Sequence, residues 1–153
     1  MTTIGVDFGN ANTDVFINCG NENGSLVFSP LKNDPCDDEK HLPSYVQYDL
    51  TGDVRAVGEV AKLTLSTNRS TTVFNVKRLL GRRIDDKQVQ EFQAYLKKGD
   101  YYTLTSDENQ QVQIQIGPKK LYPEEIAAEI ITVALKDTLD KFETIKIDKI
   151  VVS

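Results

Sequence analysis

The chain has two cysteines, one histidine and no long apolar run. Each shortage removes a class of function. No stretch approaches the roughly 20 consecutive apolar residues that a spanning helix needs, so no membrane partner is expected. Polar residues and Asp7 interrupt the beginning of the sequence, and no signal peptide is legible there. Cys19 and Cys36 do not form a C-x-x-C pair, and with His41 the sole histidine there is no zinc constellation. Both thiols are expected to be free in a reducing cytoplasm, with a disulfide between them the minor alternative. Asn68-Arg69-Ser70 matches a glycosylation sequon, which means little without secretion. Neither a Walker lysine nor G-x-G-x-x-G is present, so the better-known phosphate loops are absent. There is no internal repeat and no low-complexity segment.

What is present suits one ordinary folded domain. The 153 residues are 39% hydrophobic and 27% charged, enough apolar matter for a core. The net charge of −5 argues against nucleic acid as the main partner, because phosphate backbones favour a basic face. Arg78, Arg82 and Arg83 make a local basic cluster, which reads equally as a solvated helix end or as a binding feature.

Local patterns predict an α/β chain. Thr3–Phe8, Thr13–Cys19 and Ser25–Phe28 read as strands, with a turn at Cys19–Gly24. Pro30–Lys40 is polar and carries Pro30 and Pro35, so it reads as an exposed loop. Ser44–Tyr48 and Val54–Val57 read as short strands around a turn at Leu50–Asp53. Glu59–Leu65 and Val73–Leu80 read as helices, the second ended by Gly81. Asp85–Leu96 repeats at helical spacing through Val89, Phe92 and Leu96. Tyr101–Leu104 and Val112–Ile116 read as strands, the latter alternating strictly with one wet face. Pro123–Phe142 is the strongest helix, with proline and two glutamates in its first turn. Its apolar stripe is Ala128, Ile131, Leu135, Leu139 and Phe142, widened by Ile126, Ile130 and Val133. Lys149–Ser153 reads as a buried strand.

The run from Ile4 to Thr13 carries the chemistry. An apolar strand delivers Asp7 to a turn at Gly9, and a second strand leaves at once. Small polar residues after a glycine let backbone N–H groups converge on phosphate, and glycine lets the backbone approach an anion without a Cβ between them. The carboxylate beside them can hold Mg²⁺ through water, since that ion keeps several waters and needs only one or two carboxylates. On these residues alone a plain glycine hairpin is the competing reading.

Four further segments give the run its context. They are Leu42-Pro43-Ser44-Tyr45-Val46, Ala56-Val57-Gly58-Glu59-Val60-Ala61-Lys62, Thr71 to Arg82 (TTVFNVKRLLGR), and Leu121-Tyr122-Pro123-Glu124-Glu125-Ile126. In this order and at these distances they resemble the heat-shock protein 70 chaperones of the DnaK type. That family opens with an I-G-I-D-L-G-T-T-N-S loop, then shows T-P-S, V-G-x-x-A-K, T-V-F-x-x-K-R-L-I-G-R and Y-P-E-E-I. The resemblance covers about Ile4 to Ser153 and is most specific around Lys77.

The resemblance implies an actin-like ATPase fold of the ribonuclease H-like kind, of which this is the first lobe. A base subdomain is expected from residues 1–42 and 120–153, with an inserted subdomain at 43–119. The last strand is followed by no turn or cap, so the chain is expected to be a fragment of a longer protein. The remainder is expected to hold a second lobe and a peptide-binding domain. By the same resemblance the cofactors are ATP or ADP with Mg²⁺, and the partners are a J-domain co-chaperone and a nucleotide exchange factor. Asp7 is implied to orient Mg²⁺ through water. Gly9, Asn10, Ala11 and Asn12 are implied to cradle the phosphates, and Lys77 to act near the γ-phosphate. These residues alone are expected to be inactive.

The sequence also departs from the family. Asn10 and Ala11 replace two threonines, which removes a hydroxyl at Ala11. His41-Leu42 replaces the usual threonines before Pro43, and the stretch Pro30–Lys40 is longer than usual. Asparagine after the glycine resembles the larger relatives and some ribosome-associated members. Three functions are therefore weighed: an ATP-hydrolysing chaperone, a slow or non-catalytic relative serving as co-chaperone or exchange factor, and another actin-like protein such as a filament former or sugar kinase. The block from Thr71 to Arg82 argues against the third.

Overall fold

The computed structural model of the protein describes residues 2–18, 28–30, 41–140 and 146–153. The turn expected at Cys19–Gly24, the loop Pro30–Lys40 (apart from Pro30), the beginning of the strand at Ser25, and Phe142 lie outside the described residues. Two antiparallel strands come first, β1 (Thr3–Phe8) and β2 (Asn12–Asn18), in a register running from Thr3↔Asn18 to Phe8↔Thr13. Ile4, Val6 and Phe8 alternate inward along β1, the period of two that a half-buried strand shows. β3 (Phe28–Pro30) pairs with the far end of β2, and β4 (Leu42–Pro43) with its start.

Then come β5 (Val46–Tyr48), β6 (Val54–Val57), helix α1 (Glu59–Leu63) and β7 (Thr72–Val73). A single 3₁₀ turn at Val76–Arg78 leads on to α2 (Lys87–Lys98). β8 (Thr103–Ser106), β9 (Val112–Ile116) and β10 (Lys119–Leu121) form a meander, followed by α3 (Pro123–Leu139) and β11 (Lys149–Val152). The strands make three sheets. One has the order β11-β1-β2-β3 with β4 also on β2; the others are β6-β5-β7 and β10-β9-β8. β11 lies parallel to β1, from Thr3↔Lys149 to Val6↔Val152. Parallel neighbours need a crossover, and α3, the last helix before β11, packs against β2.

Helix α3 joins two cores. Its start is set by Pro123, whose missing N–H is not needed in a first turn. Glu125 Oε2 accepts a hydrogen bond from the Tyr122 amide at 2.7 Å, and so caps the end. Ile126 and Ile130 are fully buried in the larger cluster with Phe8, Val46, Val76 and Ile114. Ile131 and Leu135 pack on the smaller cluster of Ile4, Val6 and Ile17. Burying each isoleucine is worth about 1.5–3 kcal/mol, so this helix is the main joint between the sheets.

Several sequence expectations are corrected. Val73–Leu80 is not a helix: Thr72 and Val73 pair with β5, and Asn75 turns left-handed at φ 58°. Strand pairing of β-branched residues outweighs the modest helix preference of Val-Lys-Arg-Leu-Leu. Gly81 at φ +64° still ends the segment, a conformation glycine takes without strain. β8 begins two residues late, because Tyr101 N–H bonds Leu96 C=O and so belongs to the cap of α2. Gln113 is buried, so β9 has no fully wet face; it is the central strand of its sheet. On α3 the buried row is Ile126, Ala127, Ile130 and Ala134, while Ala128 and Leu139 are exposed, because the helix serves two cores at once. β11 is not buried: Ile150, Val151 and Val152 are each about half exposed (46%, 45% and 52%), since β1 is its one strand neighbour among the described residues.

Candidate functional site

The loop between β1 and β2 is shaped by its own backbone and by two buried hydroxyls. Gly9 N–H donates to Asn12 C=O at 2.9 Å, closing a tight turn. A Cβ on residue 9 would lie 2.5 Å from that same oxygen, so only glycine fits. Ser44 braces the loop from outside. Its amide donates to Ala11 C=O at 2.8 Å, and its hydroxyl donates to Gly9 C=O at 2.9 Å. Thr13 Oγ1 lies 2.9 Å from Ser44 Oγ, and both residues are buried. Ser44 lies inside the Leu42–Val46 motif, and nothing in the local sequence assigns it this role. The signal available was a small hydroxyl directly after Pro43, between two short strands.

This bracing engages the carbonyls of Gly9, Ala11 and Asn12 and leaves donors over. The N–H groups of Asn10 and Ala11 find no acceptor among the described residues, and both residues are exposed. Two adjacent open amides at a glycine turn can take an anion. Asp7 is exposed on β1, and its side chain makes no hydrogen bond or ion pair among the described residues. Asp14 stands opposite it across the hairpin, so two carboxylates share one face. His41 Nδ1 hydrogen-bonds the Asp14 carboxylate, so Asp7 is the member of the pair left for a cation. Among the described residues no group of three or more His, Cys, Asp and Glu could hold a metal ion. A hydrated Mg²⁺ needs no such group, and Asp7 with two open amides fits Mg²⁺ and phosphate together.

Lys77 sits apart from the hairpin, on the 3₁₀ turn. Val76 and Leu79 are buried and fix that turn to the larger core, while Lys77 and Arg78 are left exposed. Lys77 makes no hydrogen bond or ion pair among the described residues. The two sites are linked by packing. Tyr45, next to Ser44, stacks on Phe74 with ring centroids 5.7 Å apart, and Phe74 precedes the left-handed Asn75. Phe8 at the hairpin and Phe74 and Val76 at the turn all belong to the same buried cluster. The structure therefore places Asp7, Gly9, Asn10, Ala11 and Asn12 on one hairpin, and Lys77 on a second element anchored to the same core.

Two of the three clustered arginines, Arg82 and Arg83, are engaged in structural pairs. Arg82 Nη1 bonds Asp86 Oδ2 at 2.8 Å, and Arg83 Nε bonds Asp85 Oδ1 at 3.1 Å. The Gln88 amide beside it, and then Arg82, hold the Asp86 carboxyl below its ordinary range; Arg83 does the same for Asp85. Asp86 also caps α2 by accepting from Gln88 N–H.

A family model described as Hsp70 protein matches residues 3–153. The chain belongs to the Hsp70 family. The chaperone protein DnaK of Buchnera aphidicola subsp. Schizaphis graminum is 31% identical over 145 residues, 94% of this chain and 21% of that relative. The chaperone protein DnaK of Psychrobacter cryohalolentis is 33% identical over 128 residues, 84% of this chain and 18% of that relative. This Hsp70-family chain thus spans about a fifth of the length of the curated relatives it matches. The matched region corresponds to the N-terminal nucleotide-binding region of the family, and the mixed α/β architecture agrees with the actin-like ATPase fold that the family implies. No helix among the described residues is long and apolar enough to cross a membrane.

Proposed function

We propose that these residues are the first lobe of an actin-like, ribonuclease H-like ATPase domain, in a cytoplasmic chaperone whose ATP hydrolysis gates peptide binding elsewhere in the full-length protein. The base subdomain would comprise residues 1–42 and 120–153 and the insert 43–119. The sheets of β5–β7 and β8–β10, which fall almost wholly inside that insert, support the division. The observation that carries the reading is the braced hairpin: Gly9 closed on Asn12 and, among the described residues, two open amides at Asn10 and Ala11 and an Asp7 side chain without a partner. A J-domain co-chaperone and an exchange factor follow as partners from family membership, as do roles in protein folding and the heat-shock stress response.

Phosphoryl transfer is mostly positioning and charge stabilisation, with little covalent chemistry for the protein to do. Bound Mg²⁺ would neutralise charge on the phosphate oxygens. The Asn10 and Ala11 amides would receive phosphate oxygens, with Gly9 keeping the backbone close and Asn12 closing the turn. Asp7 would hold the hydrated ion through water. Lys77, presented on a rigid turn with its ammonium unpaired among the described residues, would stabilise charge that grows in the transition state. The 153 residues alone would not turn over ATP, because one lobe supplies only part of the cleft.

In the full-length protein, Lys77→Ala should lower kcat for ATP about a hundredfold, the usual loss when one charge-stabilising donor is removed, while nucleotide binding changes little. Normal hydrolysis by Lys77→Ala would refute the assignment of Lys77 to the chemical step. A second reading rests on Asn10 and Ala11: with the family hydroxyl missing, the protein would bind ATP as a structural state and act as co-chaperone or exchange factor. A wild-type protein that binds Mg·ATP without hydrolysing it would establish that reading instead.

A further inference from the structure

A three-residue 3₁₀ turn has little stability of its own, so the direction in which Lys77 points must be imposed from outside. Within the segment, three bonds close successive turns: Arg78 N–H to Asn75 C=O, Leu79 N–H to Val76 C=O at 2.8 Å, and Arg82 N–H to Leu79 C=O. Left-handed residues bracket it, Asn75 at φ 58° and Gly81 at φ 64°. Val76 and Leu79, three apart on a 3₁₀ turn, share the buried side, so Lys77 is turned out. This fixes the depth of the turn but not its rotation about the Val76–Leu79 axis.

Two side chains from other elements fix that rotation, one at each end. At the start, the Tyr102 hydroxyl donates to Phe74 C=O at 2.6 Å. Tyr102 lies just before β8 and is buried, and burial pushes its phenol well above its ordinary pKa, so it remains a donor. At the end, Gly81 N–H donates to Glu124 Oε1 at 3.0 Å. Glu124 stands in the first turn of α3, where Glu125 already supplies the cap through Tyr122 N–H. The Glu124 carboxylate is therefore directed across to the Lys77 segment.

We propose that Tyr102 and Glu124 are positioning residues for Lys77, holding the 74–81 segment at its two ends so that the ammonium is aimed at the nucleotide. The proposal rests on the reading of Lys77 given above. Neither residue touches the nucleotide in this account. Their effect should therefore appear in the chemical step and vanish when Lys77 is gone.

The test uses the full-length protein with Tyr102→Phe, Glu124→Ala and Glu124→Gln, each alone and combined with Lys77→Ala. ATP hydrolysis, Mg·ATP affinity and thermal unfolding are measured, with rates taken well below each unfolding transition. Tyr102→Phe and Glu124→Ala should each lower kcat on the order of tenfold, the rate equivalent of one good hydrogen bond, with KM for ATP unchanged within about twofold. Glu124→Gln retains an acceptor oxygen and should recover most of the rate. Adding either change to Lys77→Ala should cause no further loss, as for residues that act as one unit. Glu124 is exposed and Tyr102→Phe removes one oxygen, so both proteins should fold. If Lys77→Ala is slow but the other variants keep wild-type kcat, or if their losses multiply with that of Lys77→Ala, this proposal alone is overturned. If Lys77→Ala itself is as fast as wild type, the assignment of Lys77 falls and takes this proposal with it.

Discussion

The β1–β2 loop and the Lys77 turn present polar groups outward by different means. The loop closes on itself within a few residues, Gly9 on Asn12, and a single residue from elsewhere in the chain, Ser44, satisfies two of its carbonyls. The turn owes its shape to distant parts of the chain, with Val76 and Leu79 sunk in the larger core and its ends tied to Tyr102 and Glu124. The difference teaches where each should be vulnerable. The loop should respond to small local polar changes and the turn to changes in core packing.

The largest expected effect breaks the turn. Leu79→Ala removes a fully buried side chain and should destabilise the protein by about 2–5 kcal/mol, measurable by denaturant unfolding. The surviving folded protein should hydrolyse ATP more slowly while the hairpin remains intact. Next, Ser44→Ala strands the Gly9 carbonyl and the Thr13 hydroxyl and should cost about 1–3 kcal/mol. It should weaken Mg·ATP binding before it alters the chemical step, the reverse of the Lys77 pattern.

A gain-of-function change sharpens the comparison. Asn10→Thr with Ala11→Thr should leave the fold intact, because both residues are exposed in the loop. If the wild-type protein is slow, the double change should raise its ATPase rate about tenfold, the worth of one hydrogen bond to a charged group. A slow rate that stays slow would show that the loop is not what limits it.

The smallest effect concerns a third region, as a control. Asp49 accepts from Thr51 and Asp53 in the β5–β6 turn, and the Thr51 hydroxyl is the main reason its carboxyl is lowered to about 2. Because its folded pKa is depressed, the stabilisation is complete above the ordinary value of 3.8 and is lost as pH falls through about 2. NMR titration of the Asp49 carboxyl should show a midpoint near that lower value, and Thr51→Ala should move it up.

The same contrast explains what the sequence disclosed. The hairpin was legible because glycine, alternation and small polar residues all act within ten positions. α2 and α3 were legible because their repeats at helical spacing coincide with their caps, Asp86 and Glu125. The Lys77 turn was read as a helix because its local preferences favour one, while pairing of Thr72 and Val73 with β5 decides the matter. Ser44 hid for a similar reason: its partners, Gly9 and Thr13, are more than thirty residues away. The apolar run of β11 reads as buried by composition, yet burial depends on what packs against it. The placement of Asp7 at the loop followed from the strand alone, whereas the engagement of its neighbour Asp14 depends on His41, which only the fold brings close.

The central claim is that the open amides of Asn10 and Ala11 receive phosphate beside Asp7. Backbone amide NMR of the full-length protein, titrated with Mg·ATP and again with Mg²⁺ alone, tests it most directly. The Asn10 and Ala11 amide signals should shift strongly with Mg·ATP, those of α2 should not, and Asp7→Asn should weaken the Mg²⁺ dependence of the shift. Saturable Mg·ATP binding that leaves both amide signals in place would contradict it.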